Sequence, residues 1–477
     1  MTVTPHSPAD SMQSRPRRRA ARRFRSALAL TTTGLVLFTG CAASSDSGTP
    51  AADGAASAAA SVSDVEQSDS AAASADTDLF DSSVVHSISV EFDQADYDSM
   101  IETFTATGDK DWISATVTID GVVYEDVGLR LKGNSSLFGL TSATAGNPED
   151  LPWLIRLNKF VDGADHQGYE DIVIRSNSTE SGLNEAVAQE LLSVTGLASQ
   201  QAIATAFTVN DGETELRLAV ENPDEEWYED HFADEDGLLY KADSEGDYSY
   251  RGDDAEAYID VFEQEVGDDD MEPLIDFLDF INNADDVTFA AELGDHLDVE
   301  AFATYLAFQD LIGNADDING RGNNSYLQYD TATNRFTVVS WDLNLAFGTA
   351  NVSVAAGGAG GPGAAGGAGS RPTGPPADAV TGGAVGGPGA VGGVGGEGGP
   401  GDQANVLVDR FLADEDFAAL YASATDELRE LLFTSGTVDE VIASWTTVLI
   451  TGASDLVAED TVTAEAAALI SFVDGAR

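Results

Sequence analysis

The sequence predicts a fold that mixes β-hairpins with amphipathic helices, and three patterns carry the prediction. Residues 112–133, WISATVTIDGVVYEDVGLRLKG, alternate apolar and polar residues on both sides of an Asp120–Gly121 turn, which reads as a hairpin. Residues 181–196, SGLNEAVAQELLSVTG, space apolar side chains by three and four and close on Gly196, predicting a helix from Leu183 to Val194. Residues 314–348, NADDINGRGNNSYLQYDTATNRFTVVSWDLNLAFG, read as a second hairpin. Tyr326, Gln328 and Tyr329 lie on one arm, and Phe336, Val338, Val339 and Trp341 on the other.

Each element has its own local justification. The first hairpin carries Arg130 and Lys132 on one strand face into a Gly133–Ser136 turn. Cations, hydroxyls and backbone amides combined in this way suit a phosphate, and they equally suit a solvated strand face. A strand over residues 153–160, WLIRLNKF, adds Arg156 and Lys159. The helix puts Glu185 in its first turn, where the macrodipole favours a carboxylate and where a cation on a preceding strand could meet it. At the mouth of the second hairpin, Asp316 or Asp317 precedes the first arm, Asn324 opens it and Asp342 ends the second. Hard oxygen ligands gathered there suit Mg²⁺ with nucleotide phosphates, since Mg²⁺ takes few protein oxygens and leaves the rest of its octahedron to phosphate and water. The chain ends in helical periodicity, with Phe411, Leu412, Phe417, Leu420 and Tyr421 as a core-facing stripe.

Composition marks the domain limits. A basic segment with seven arginines, an apolar run from about Ala27 to Phe38 and the sequence LFTGC make residues 1–41 a secretory signal. Its end is similar to a bacterial lipobox, which makes Cys41 the expected lipidation site and places the protein on the outer face of the cell membrane, with plain secretion as the alternative. The apolar run is short of the roughly 20 residues a membrane span needs. Residues 42–80 (Ala, Ser, Asp) and 355–402 (Gly, Ala, Pro, Val) hold too little large apolar surface to offset chain entropy, so both are expected to be disordered. Residues 81–354 and 403–477 remain to form one folded domain.

The chain of 477 residues has a formal charge of −61, and removing residues 1–40 takes it to −67. Such a surface repels nucleic acid. The single cysteine excludes disulfides and thiolate metal sites, and the five histidines, His6, His86, His166, His231 and His296, lack any ligand spacing, so each is expected on the surface or at a helix cap. There is no GxSxG elbow and no EF-hand register.

GLRLKGNSS, IRLNKFVDG, LNEAVAQELL, ELRLAVENPDEEWYEDHF, LLYKAD, LIGNADDINGRGNNSYLQYD and RFTVVSWDLNLAFG follow in order the blocks of the spore coat protein H (CotH) kinase family. The chain resembles that family from about residue 85 to 350, and again from NVLVDRFLADEDFAALY to about residue 475. The resemblance implies an α+β, divergent two-lobed protein-kinase-like fold with a helical C-terminal part, and ATP with Mg²⁺ between the lobes. It implies transfer of the γ-phosphate to Ser/Thr hydroxyls of a protein acceptor. Asp316 would be the catalytic base, with Asp317 as alternative; Asn324 and Asp342 would hold Mg²⁺, with Asn344 as alternative to Asn324. Lys132 and Arg156 would hold phosphates, Glu185 would pair with one of them, and Glu221 would line the cleft between the lobes. Two departures stand out: Asp316 and Asn324 are eight residues apart where ordinary kinases have five, and Arg156 stands where lysine is commoner. Export away from cytoplasmic ATP favours an alternative, a non-catalytic scaffold or adhesion lipoprotein of the cell envelope.

Overall fold

In the computed structural model, the described residues are 73–349 and 405–477, apart from 235, 244–246, 268, 315 and 320–322. The signal segment with Cys41 and the Gly-rich segment 355–402 lie outside them. Seven strands, β1 (Val85–Phe92), β2 (Ile113–Ile119), β3 (Val122–Leu131), β4 (Trp153–Arg156), β5 (Asp171–Ile174), β6 (Ala202–Val209) and β7 (Thr214–Glu221), form the first sheet. Their order is β1-β2-β3-β4-β5-β7-β6, and the parallel pairing of β1 with β6, Val85↔Ala204 to Val90↔Val209, closes it into a barrel. Every other neighbouring pair is antiparallel. The alternation seen in sequence fills the interior: Val117, Leu129, Leu131, Trp153, Ile155, Ile172 and Ile174 point inward and are buried. Arg130 and Lys132, on the opposite face of β3, therefore point out of the barrel.

The second sheet has the order β11-β10-β8-β9, from β8 (Leu238–Ala242), β9 (Phe262–Val266), β10 (Ser325–Asp330) and β11 (Arg335–Ser340). It meets the outside of the barrel through a small apolar seam, in which Leu154 and Val173 from the barrel pack with Leu239, Val266, Tyr326, Val339 and Trp341. Helices cover the remaining faces. Helix α1 (Gln94–Thr107) packs on the barrel, and α2 (Leu183–Val194) lies against β6 and the helices Thr437–Gly452 and Glu459–Ala476. Helix α2 keeps the predicted bounds, since its 3.6-residue periodicity is sharp and Gly196 follows with φ +84. Among the described residues no helix is long and apolar enough to cross a membrane.

The mixture of helices and strands matches the expectation, and both hairpins pair as read. The closed barrel does not follow from the local patterns, because its closure is a contact between β1 and β6, which are more than a hundred residues apart. Four expectations are corrected. The linker expected to reach residue 80 ends sooner, because Leu79 and Phe80 are buried against the barrel core. The strand predicted over 153–160 stops at Arg156, where a turn begins with the Lys159 amide donating to the Arg156 carbonyl at 3.3 Å. Leu412 is 38% exposed, whereas Phe411 and Phe417 are buried and Leu420 and Tyr421 pack against the same core. His86 and His166 are buried: His86 Nδ1 pairs with Asp120 at 2.7 Å, and His166 Nδ1 with the Tyr124 hydroxyl at 2.7 Å.

One glycine of the barrel is required by close approach. A Cβ on Gly128 would overlap the Cβ of Lys159 and touch the Trp112 ring. Gly128→Ala is expected to lower stability by about 1–3 kcal/mol, the usual range for overpacking, in a denaturant titration.

Candidate functional site

At the end of β3, Lys132 leaves the barrel wall and turns into the edge of the seam. Its ammonium donates to Oδ1 of Asn222 at 2.5 Å and lies 5.2 Å from the centroid of the Trp341 ring. Burial pulls this ammonium down to about 7, and the nearby Lys241 acts in the same direction. Gly133 follows with φ +88, a conformation in which the Ser136 hydroxyl occupies the space of a side chain. The turn from Gly133 to Ser136 then folds back over the cleft.

Across the cleft stands Arg175, the residue just after β5. Its Nε is 2.9 Å from Oε1 of Glu185, and its terminal nitrogen pairs with Oδ1 of Asp342. Burial alone would lower the guanidinium, but Asp342 and Glu185 outweigh it and hold Arg175 above its ordinary range. Burial pushes the Glu185 carboxyl up, and Arg175 pulls it back. A second tie comes from Asn184, whose side-chain amide donates to the Asn344 carbonyl at 2.6 Å. The first turn of α2 thus grips the segment that follows β11 at two points. Lys132, the Gly133–Ser136 turn, Arg175, Asp342 and Asn344 line one cleft of about 30 Å³. That is room for little more than a water molecule.

The structure reassigns two of the predicted partners. Glu185 pairs with Arg175, and with neither Lys132 nor Arg156. Arg156 lies directly opposite Asp171 in the β4–β5 register, and that nearest carboxylate captures it at 2.7 Å and 2.5 Å. Asn222 donates to Asp171 at 2.9 Å as well as accepting from Lys132, so Lys132, Asn222, Asp171 and Arg156 form one polar chain. Glu221 is buried one residue earlier, where its carboxylate accepts from the Gln201 amide at 3.1 Å, and it does not line the cleft. Neither Arg175 nor Asn222 is among the residues expected from sequence. Arg175 had a signal: it ends the apolar strand DIVI in a chain poor in cations.

Burial pushes the Glu221 carboxyl up to about 8, with Asp224 and Asp230 adding to the rise and Gln201 opposing it. Asp224 is itself raised to about 8, by burial and by Asp171. The folded chain holds a proton on Glu221 that the unfolded chain releases above about 4.5, so stability present at low pH is lost as pH climbs toward 8. Glu221→Gln keeps the position neutral. Its unfolding free energy is expected to gain on the parent by roughly 2 kcal/mol between pH 5 and pH 8, less than the full shift because a protein relaxes before it keeps a charge in an apolar site. Chemical denaturation at both pH values checks this.

At the mouth of the second hairpin, Asn324 and Asp342 both adopt left-handed backbone, φ +57 and φ +59. Such conformations are uncommon outside glycine and concentrate where a side chain must be re-aimed. The Trp341 amide donates to the Asn324 carbonyl at 3.2 Å, and the Asn324 side chain donates to the Asp316 carbonyl at 2.8 Å. Asp316, Asn324 and the residue before Asp342 therefore meet through main-chain groups. Asp316 is part-buried, whereas Asp317 is buried and accepts from the Asn319 amide at 3.0 Å. The oxygen cluster expected for Mg²⁺ is not assembled from side chains: Asp316 and Asn324 are absent from the cleft lining, and Asp342 is held by Arg175. Among the described residues, no three Asp, Glu, His or Cys side chains are grouped to hold a metal ion. Of the expected phosphate half, Lys132 and the Gly133–Ser136 turn line the cleft, and Arg175 stands there instead of Arg156.

Comparison with known protein families gives a match of residues 129–461 to the family described as CotH kinase protein. Comparison with curated proteins gives no match.

Proposed function

This chain belongs to the CotH kinase family, and on that premise we propose that it is an atypical kinase-like phosphotransferase using ATP and Mg²⁺ and a protein acceptor with Ser or Thr hydroxyls. In this reading the barrel serves as the smaller lobe, and the second sheet with its helices as the larger. The observation that carries it is the convergence of Lys132 and Arg175 with Asp342 on one cleft, in a chain with 22 Lys and Arg against 83 Asp and Glu.

Bound Mg-ATP would supply a transferable phosphoryl group and a cation that offsets its charge. The ammonium of Lys132, the guanidinium of Arg175 and the amides of the Gly133–Ser136 turn are placed to take phosphate oxygens. Glu185 positions Arg175. Asp316, the more exposed of the two adjacent acids, is the candidate to accept the proton of the attacking hydroxyl. Asp342, once released by Arg175, is the carboxylate of the cleft suited to a hard divalent cation, with Asn344 beside it, whereas Asn324 would have to turn from the Asp316 carbonyl to join them. Ligand sites typically measure about 300–1,000 Å³, so the 30 Å³ cleft must open before a nucleotide enters. Opening would part Lys132 from Asn222 and Arg175 from Asp342.

Those same pairings favour the second reading, a non-catalytic envelope scaffold, because the charged side chains lining the cleft already have partners. Incubation with labelled ATP and Mg²⁺ or Mn²⁺ separates the two. Transfer by the parent that is lost in both Asp316→Ala and Asp342→Ala supports the kinase. Absence of metal-dependent nucleotide binding to the parent in calorimetry would replace it with the scaffold.

A further inference from the structure

A second concentration of positive charge lies outside the cleft, further back along the same face of β3. The Trp112 ring is surrounded by Arg130 at 4.8 Å, Lys159 at 5.0 Å and Arg156 at 5.3 Å from its centroid. Lys110 adjoins them, and burial together with Lys241 and Arg130 lowers its ammonium. Of these cations Arg156 is bound to Asp171, and Lys241 is shared by Glu263 at 3.4 Å and Glu265 at 3.6 Å. Arg130 is different. Its Nε is buried with no hydrogen-bond acceptor, which disfavours the cation unless the rest of the guanidinium meets an anion. Gly128 is the device that makes the cluster possible, since any Cβ there would push Lys159 away from Trp112. Lys159 is exposed, and beside it Phe160 and Val161 are 49% and 42% exposed.

We propose that the Trp112–Arg130–Lys159 face is a docking site for an acidic segment of the protein acceptor, a carboxylate or phosphate side chain meeting the accessible part of the Arg130 guanidinium and the exposed Lys159 ammonium. This rests on the phosphotransfer reading for the word acceptor, while the binding itself does not. Arg130 and Lys132 are two residues apart on one strand face, roughly 7 Å. An extended peptide whose hydroxyl reaches the Lys132 cleft therefore presents to Arg130 the side chain about two residues away. The site selects a slender anionic segment over an extended anionic surface. Membrane lipid or nucleic acid would have to approach a protein of charge −61 broadside, whereas a single chain reaches a local patch within a Debye length of about 10 Å. Trp112 also borders a hollow lined by Asp96 and Asp111, whose carboxylates disfavour an anion there.

The test uses the full chain and three dye-labelled peptides, one serine flanked two residues away by Glu, by Gln or by Lys, with binding read by fluorescence anisotropy. The Glu peptide is expected to bind at least about tenfold tighter than the Gln peptide, in line with a charge-assisted contact. Arg130→Gln with Lys159→Gln is expected to abolish that preference, and Arg130→Lys with Lys159→Arg to keep most of it. Equal binding of all three peptides, or tighter binding of the Lys peptide, overturns the proposal. ATP binding is measured in parallel by calorimetry. If the Gln pair of substitutions removes ATP binding, these residues belong to the nucleotide and the docking site falls. If the parent binds the Glu peptide by this preference but no ATP, the docking site stands and the phosphotransfer reading falls instead.

Discussion

Arg175→Ala is expected to destabilise the folded chain by roughly 3–5 kcal/mol, the range for removing one partner from a buried ion pair. Arg175 has a side chain only 12% exposed and sits between Glu185, 4% exposed, and Asp342, 23% exposed. Taking it away leaves two carboxylates facing each other with no counter-charge, in a place where burial already pushes Glu185 upward. The loss is therefore greater than that of an exposed pair, which is about 0–1 kcal/mol. Urea unfolding checks the magnitude, and Arg175→Ala combined with Glu185→Gln checks the cause. The double variant removes one of the stranded charges and is expected to recover about half of the loss. A single variant as stable as the parent would mean that Arg175 does not join α2 to the segment after β11.

Lys132→Ala is expected to weaken ATP binding and to cut phosphoryl transfer by about a hundredfold to a thousandfold, the usual effect of losing one charged group that meets developing negative charge. Because its ammonium is pulled down to about 7, Lys132 is mostly charged at pH 6 and mostly neutral at pH 8. Phosphate favours the charged form, so the affinity of the parent is expected to fall about tenfold over that interval. Lys132→Arg fixes the charge at the cost of a different fit and is expected to flatten the profile while lowering the rate. Calorimetric titration with ATP at pH 6, 7 and 8 provides the comparison. A parent whose affinity is independent of pH, beside a Lys132→Arg variant that behaves the same way, would remove Lys132 from the phosphate contacts.

Much of the fold was legible because it is governed at short range. The two-residue alternation of residues 112–133 and the Asp120–Gly121 turn specify a hairpin before any tertiary contact forms, and Arg130 and Lys132 emerged on the outward face as the pattern required. Helix α2 was legible to its ends, since apolar spacing and Gly196 act within a few residues. The 153–160 strand was overrun for the opposite reason. Its apolar residues Trp153, Leu154 and Ile155 continue into Leu157, and only the turn closed by the Lys159 amide on the Arg156 carbonyl shows that β4 stops at Arg156.

The candidate site divides along the same line. Lys132 and Asp342 were read from residue type and from their places at strand ends, and the fold brings both to one cleft. Asn324 was read at the hairpin mouth and is there, yet its side chain turns to the Asp316 carbonyl instead of the cleft. Arg156 and Glu185 were the right kinds of residue with the wrong partners. Which cation meets which carboxylate depends on strand register and on how α2 lies over the end of β5, differences of a few ångströms that no spacing within a single element encodes.

By itself, then, the sequence determined the hairpins, helix α2, the outward cations of β3, the acidic and amide groups at the hairpin mouth, and the family to which they belong. Tertiary structure alone decided the closure of the barrel by β1 and β6, the choice of Arg175 to join Glu185 and Asp342, and the gathering of Arg130, Arg156 and Lys159 around Trp112. The physical reason is range: periodicity and turn chemistry act over a few residues, whereas closure and charge pairing are settled only when segments distant in sequence compete for the same neighbours in space.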